Sequence, residues 1–163
     1  MRRTDFFRIA AWRRRAVKSV ETNRGRVIMP RILGLNLVGV LVASIVFFLI
    51  GWVWYGMLFQ EAWMAAEGIT MEAAESESPV WMASGFLITL LQVIGIGLIL
   101  KWKGSAGLGG AVATAFALWF FLALPMCSYA YIYAAHNSTL LLIDAGHLLV
   151  GWVVSAIVLA LIK

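Results

Sequence analysis

Two ionisable side chains interrupt the last apolar stretch of the chain, between Thr139 and Ile162. Asp144 and His147 are three residues apart, so a helix places them on one face, and Gly151 continues that face. A carboxylate beside an imidazole can hold or transfer a proton, or bind a cation. It can also be structural, because a buried carboxylate that accepts hydrogen bonds from neighbouring helices holds them together. In either role, other helices must cover this face.

Three further polar side chains fall on the inward faces of the predicted helices and extend this polar core. Glu61 lies just beyond the first apolar stretch, Asn36 near its beginning, and Gln92 in the middle of the second stretch. A proton or cation site built from Asp144, His147 and Glu61 is one hypothesis. The amide of Gln92 is expected to hydrogen-bond across helices, a contact worth about 1 kcal/mol, and not to bind a ligand.

Ligands for a metal or a cofactor are sparse. Methionine, cysteine and histidine residues lie toward one side of the predicted bundle and would suit Cu(I), but they form no compact motif, and methionine also fills gaps in packing. We therefore predict no metal site and no required cofactor, with His136 and His147 as the candidate cofactor ligands. The chain has no GxSxG, HExxH or CxxC motif. We expect no enzymatic activity.

The composition places these residues in a membrane. Hydrophobic residues make up 63% of the chain and charged residues 13%, about half the charged fraction of a soluble domain. The 163 residues leave room for about four spans of roughly 20 residues with short connections. The single cysteine, Cys127, excludes an internal disulfide. We predict an all-α integral membrane protein with four transmembrane helices in an antiparallel bundle.

Four apolar segments are predicted to span the membrane, at about residues 32–58, 80–100, 106–135 and 139–162 of a bundle that occupies residues 31–163. Ten basic residues precede the first span, two follow the second, and one follows the last. The segment between the first two spans has five glutamates and no Lys or Arg. Positive charge marks the cytoplasmic side, so we predict a bacterial inner-membrane protein with both termini in the cytoplasm. Pro125 is predicted to kink the third span.

Small residues on the predicted helix faces indicate where the helices pack closely. Gly39 and Ala43 form a small-xxx-small pair on the first span, a spacing that lets another backbone approach. Gly95 on the second span and Gly151 on the last are predicted to serve the same purpose.

The first 30 residues form a basic arm before the bundle. Apolar and basic residues alternate there with helical spacing, which predicts an amphipathic helix in the headgroup layer. We expect the arm to bind anionic membrane lipids or an acidic patch on a partner, and not nucleic acid, because the adjacent membrane accounts for its charge. The basic side chains of this surface are Arg8, Arg13, Arg14, Arg15 and Lys18.

Two segments resemble a known family. Trp54 to Met64 reads WYGMLFQEAWM, and Leu141 to Gly146 reads LLIDAG. The first resembles the Trp-Tyr-Gly-Pro-Leu-Phe-Gly signature, followed by Trp-Met, of the bacterial membrane domain-of-unknown-function family 1761; the second is similar to the Ile-Asp-Ala-Gly of that family's last helix. Met57 and Gln60 stand where the family has proline and glycine. The resemblance covers about residues 32–163 and implies four spans without implying an activity.

These features together predict a non-catalytic accessory or scaffolding subunit of a larger inner-membrane assembly, such as a bioenergetic or photosynthetic complex. The basic arm, the glycine faces and the aromatic residues at membrane depth are suited to pack on other integral membrane subunits or on further copies of the chain. The same aromatic residues would cover a bound lipid or pigment. The alternative is a small proton, cation or metal transporter or channel that uses the face of Asp144 and His147.

Overall fold

The computed structural model describes residues 30–70, 72, 79–133 and 137–162, and almost all of them are helical. Four helical segments are long and apolar enough to cross a membrane: Leu37–Leu58, Val80–Lys103, Gly107–Tyr133 and Ser138–Leu161. The predicted fold class, a four-span helical membrane bundle, is confirmed. The basic arm, including its predicted amphipathic helix, and His136 lie outside the described residues.

Within the four spans the described residues form five helices and two π-helical turns, and a sixth helix lies between the first two spans. The first span consists of α1 (Leu37–Val53) and a π turn (Trp54–Leu58), and the short helix α2 (Gln60–Glu67) follows it. The second span is α3 (Pro79–Lys103). The third consists of α4 (Gly107–Leu118), a π turn (Trp119–Ala123) and α5 (Leu124–Tyr133), and the fourth is α6 (Ser138–Leu161).

The first span begins at Leu37 and not near residue 32, because a short antiparallel hairpin precedes it. Strands β1 (Arg31–Ile32) and β2 (Leu35–Asn36) pair across Leu33 and Gly34. Both turn residues have positive φ, 52° and 77°, as in a two-residue type I′ turn. The side chain of Asn36 then caps α1 by accepting from the backbone N–H of Val38 at 3.0 Å. Asn36 therefore serves as the N-cap of α1, and its membership of an interior polar core stays a prediction.

Helix α6 is the centre of the bundle. It packs against α1, α3, α4 and α5, whereas α4 contacts α3 only slightly. One buried cluster joins Val40 and Phe47 of α1 to Val93 of α3, with Leu148 and Trp152 of α6 packed on it. A second joins α3 and α4 to Ala156 of α6. The helix that carries Asp144 is thus covered by the three other spans.

Close packing depends on small residues at the α1–α6 contact. Gly39, Ala43 and Gly151 are all buried there. A Cβ on Gly151 would overlap the ring of Phe47, which is 1% exposed, so the ring occupies the space above this glycine. Gly95 is different, because a Cβ there would meet nothing within 4 Å. The close contact predicted at Gly95 does not form. The buried residues of this part of α3 are Val93, Ile96 and Gly97.

The two π turns alter the helical register of the first and third spans. In the first, the N–H of Phe59 donates to the carbonyl of Trp54 at 2.9 Å. In the third, the N–H of Leu124 donates to the carbonyl of Trp119. Pro125 lies two residues after the end of this second turn, so the hydrogen-bond ladder is already offset where proline lacks a donor. The kink at Pro125 stays a prediction.

We name the two ends of the bundle by their charge. The basic end contains Arg31 and Lys101, with the hairpin and the α3–α4 connection. The acidic end contains Glu61, Glu67 and the part of α6 that carries Asp144. There, the side chain of Asn137 caps α6 by accepting from the N–H of Leu140 at 3.0 Å.

Candidate functional site

Asp144 accepts a hydrogen bond from another span. The hydroxyl of Tyr55 donates to its Oδ1 at 2.8 Å, and both side chains are only partly exposed. Tyr55 belongs to the π turn of the first span, which brings it to the acidic end beside α6. A hydrogen bond to an ionised carboxylate is stronger than one between neutral groups. The pair therefore fixes the first span to α6.

Two tryptophans donate to α6 on either side of Asp144. The indole Nε1 of Trp54 donates to the carbonyl of Ile143 at 3.0 Å, and that of Trp119 donates to the carbonyl of Ala145 at 2.7 Å. Each tryptophan is the first residue of a π turn. Such turns are frequent at functional sites. Here they supply all three side-chain donors that contact residues 143–145, from two different spans.

His147 lies one turn further along α6 in an aromatic enclosure. Its ring centroid is 5.0 Å from that of Tyr55, 5.3 Å from Phe47 and 6.3 Å from Trp54. Among the described residues, its buried Nε2 has no hydrogen-bond partner. A Cβ on Gly51 would lie 3.0 Å from this nitrogen, so the imidazole packs tightly against the backbone of α1. An unpaired buried polar atom costs about 1–3 kcal/mol.

The polar face of α6 is interrupted between its two ends. The buried hydroxyl of Ser155 has no partner among the described residues. Gly151 lies between His147 and Ser155 on the helix face, and the Phe47 ring fills the space over it. Because this ring is apolar and buried, the polar groups form two separate sites and not a continuous path through the bundle.

The structure does not assemble the three-residue proton or cation site predicted from the sequence. Asp144 and His147 lie together, but Glu61 is exposed on α2 and takes no part in their contacts. The residue that contacts both is Tyr55, whose hydroxyl donates to Asp144 and whose ring centroid lies 5.0 Å from that of His147. Its place in the Trp54–Met64 segment that resembles the family signature is the signal that could have indicated its role.

Gln92 forms its contact elsewhere. Its Oε1 accepts from the indole Nε1 of Trp152 at 2.6 Å, which ties α3 to α6. The expected hydrogen bond across helices is present, and it is separate from the site at Asp144. The indoles of Trp54 and Trp119 form the corresponding hydrogen bonds from the first and third spans. Each of the other three spans is therefore joined to α6 by a side-chain hydrogen bond.

A metal site is not formed by the described part of the chain, in which no three His, Cys, Asp or Glu side chains converge. Cys127 of α5 is half-buried and forms no disulfide. The remaining groups at the site are aromatic. Its chemistry is therefore that of one carboxylate held by a phenol, beside an imidazole in an aromatic enclosure.

The fold and this site define a multi-pass helical membrane protein organised around its fourth span. The family model described as "Protein of unknown function (DUF1761)" matches residues 38–160, and the chain belongs to that family. The resemblance stated from the sequence is thereby confirmed. No curated protein and no solved structure matches the chain. The two segments that carried the resemblance meet in space, because Trp54 and Tyr55 contact Ile143 and Asp144.

Proposed function

We propose that the protein is a non-catalytic accessory or scaffolding subunit of a larger assembly in the bacterial inner membrane, with both termini in the cytoplasm. The basic end would then face the cytoplasm, in keeping with the preference of Lys and Arg for that side. The polar groups at Asp144 support a structural role, because they are used in hydrogen bonds between the protein's own spans. A bundle held in this way presents fixed outer surfaces.

The observation that carries the proposal is the position of the third span. Helices α4 and α5 pack mainly on α6, and their other sides form a row of exposed rings that we call the aromatic flank. These rings stack on one another, with 6.2 Å between Phe116 and Phe120 and 5.5 Å between Tyr129 and Tyr133. A groove of about 510 Å³ runs along the flank beside Pro125. Aromatic side chains are enriched where subunits bind each other. The flank consists of Phe116, Phe120, Phe121, Tyr129 and Tyr133.

Extraction in a mild detergent, followed by native mass determination, tests the proposal. We expect the protein to comigrate with other integral membrane subunits in a fixed stoichiometry. The double variant Phe121→Ala/Tyr129→Ala should be released as a folded monomer, because it removes two rings of the flank that are 71% and 62% exposed. The matched control Leu87→Ala/Leu91→Ala alters α3 side chains that are 55% and 61% exposed and should remain in the assembly. A wild-type protein found only as a monomer or homo-oligomer contradicts the proposal.

The unpaired nitrogen of His147 favours a second candidate function, a small proton or cation transporter that uses the Tyr55, Asp144 and His147 site. A buried imidazole beside a carboxylate–phenol pair can exchange a proton when the surrounding helices move. The Phe47 ring over Gly151 argues against this function, because it closes the polar face of α6. A transporter would have to displace this ring in each cycle.

Replacing His147 by leucine separates the two functions. If the site is structural, His147→Leu should leave the free energy of unfolding unchanged or raise it by up to about 1–2 kcal/mol, because it removes an unpaired buried nitrogen. Tyr55→Phe should lower it by about 1–3 kcal/mol, because Asp144 loses its donor. Unfolding in mixed detergent micelles measures both. In proteoliposomes carrying a pH-sensitive dye, proton flux should be equal for the wild type and His147→Leu; a flux abolished by this substitution would favour the transporter.

A further inference from the structure

A cavity of about 550 Å³ opens at the basic end of the bundle. Four elements enclose it: the hairpin, the end of α3, the beginning of α4 and the end of α6. Its lining combines polar residues, Arg31, Lys101 and Ser105, with apolar residues, Leu100, Leu159 and Ile162, and we call these two groups its polar and apolar sides. An amphipathic cavity at the end of a transmembrane bundle lies at the level of the lipid headgroups.

The polar side of this cavity is positively charged. Arg31 and Lys101 both line it, and none of its lining residues is an aspartate or glutamate. Ser105 and Ala106, also in the lining, directly precede α4, but the positive partial charge of its first turn is opposed by the carboxyl ends of α3 and α6, so the positive charge comes from Arg31 and Lys101. The described acidic residues lie toward the opposite end. The cavity therefore favours an anion.

The hairpin positions Lys101 at the cavity. The ammonium of Lys101 donates to the carbonyl of Leu33 at 3.1 Å, and a Cβ on Gly34 would collide with that ammonium. Leu33 has φ of 52°, a conformation that costs a residue with a side chain about 1–2 kcal/mol. Strained backbone of this kind persists where the surrounding structure holds it, often at a ligand site.

We propose that this cavity binds the headgroup of an anionic phospholipid, with its phosphate between Arg31 and Lys101 and its glycerol and first acyl carbons against the apolar side. Basic pockets between transmembrane helices bind such headgroups. A free phosphate ion would leave the apolar side uncovered. The first 29 residues are a poor occupant, because they carry nine Lys and Arg against two acidic residues and so have the same sign as the cavity. The inference is independent of whether the protein is an accessory subunit.

Native mass spectrometry of the full chain, transferred from vesicles of phosphatidylcholine mixed with phosphatidylglycerol, tests this site. We expect one phosphatidylglycerol to remain bound to each wild-type molecule. The double variant Arg31→Gln/Lys101→Gln should bind it about 30-fold more weakly, since each basic side chain near the headgroups is worth about a fivefold change in affinity. Both side chains are exposed, so this variant should fold.

The matched control is Arg24→Gln/Arg26→Gln, which removes the same charge from a part of the basic arm outside its predicted lipid-binding surface and should keep the bound lipid. A third variant, Ala160→Leu, fills the apolar side of the cavity without changing its charge and should also release the lipid. Equal binding by the cavity double variant and the wild type, or equal loss in the arm variant, would overturn the inference. Displacement of the lipid by inorganic phosphate at comparable concentration would identify the occupant as a free anion and would also overturn it.

Discussion

Trp54→Ala is expected to lower the free energy of unfolding by about 3 kcal/mol, at the lower end of the usual cost of removing a large aromatic side chain, because Trp54 is only partly buried. The Trp54 ring lies 4.8 Å from Phe59 and 6.3 Å from His147, centroid to centroid, and its Nε1 donates to the carbonyl of Ile143. It also packs on Gly146, where a Cβ would lie 3.0 Å from the ring. The substitution therefore removes one contact between the first span and the part of α6 near Asp144, separate from the packing of Phe47 on Gly151. Unfolding in mixed detergent micelles measures the loss.

The control for this substitution is two residues away. Trp52 is 57% exposed, so Trp52→Ala should cost less than about 1 kcal/mol, as surface substitutions usually do. Trp54→Phe keeps most of the ring but removes the indole donor, and should fall between the two, with a loss of about 1–2 kcal/mol. Similar losses for Trp52→Ala and Trp54→Ala would mean that the contacts around Ile143 do not hold the spans together.

Gly151→Val is expected to destabilise the bundle by about 3 kcal/mol, at the upper end of the range for overpacking a well-packed core. Even the first carbon of the new side chain would overlap the Phe47 ring, which is 1% exposed and has no free space to enter. The α1–α6 contact would have to widen, and the His147 enclosure would open with it, because Phe47 also packs on that imidazole.

Gly95→Val provides the comparison, since it makes the same change on α3 where a Cβ meets nothing within 4 Å. Replacing glycine by valine also changes the intrinsic helix propensity, by about half a kcal/mol, and this contribution to the free energy of unfolding is the same at both sites. We expect Gly95→Val to unfold at nearly the wild-type denaturant concentration. Adding Phe47→Leu to Gly151→Val should recover part of the lost stability, because the smaller side chain leaves room for the new methyl groups. No recovery would show that the clash lies elsewhere.

The sequence was sufficient to predict the four spans, because the thickness of the membrane sets the length of each apolar segment. It also indicated that Asp144 must be covered by the other helices, since an uncovered carboxylate is costly in lipid. Which residue would meet Asp144 was not predictable. Tyr55 reaches it from a π turn, and the extra residue in such a turn changes which side chains face inward without leaving a clear signal in composition or spacing.

The hairpin before α1 was missed for a similar reason. Leu33 and Gly34 form its turn, but leucine is rare at positive φ, and the usual turn pairs have asparagine or aspartate before glycine. The apolar pattern of the hairpin residues continues that of the first span, so the sequence predicts one uninterrupted helix there. The hydrogen bond from Lys101 to the carbonyl of Leu33 joins residues 68 positions apart, and local sequence patterns do not report contacts over such a distance.

The central position of α6 has a consequence for how the protein is made. Its residues follow those of the other three spans in the chain, yet the contacts of the third span are mainly with α6. During synthesis the first two spans can already pack against each other, but the third span meets its main partner only when α6 arrives. A ribosome that stops before Ser138 would therefore leave three inserted helices without their common partner, and such a product should be a substrate for membrane proteases.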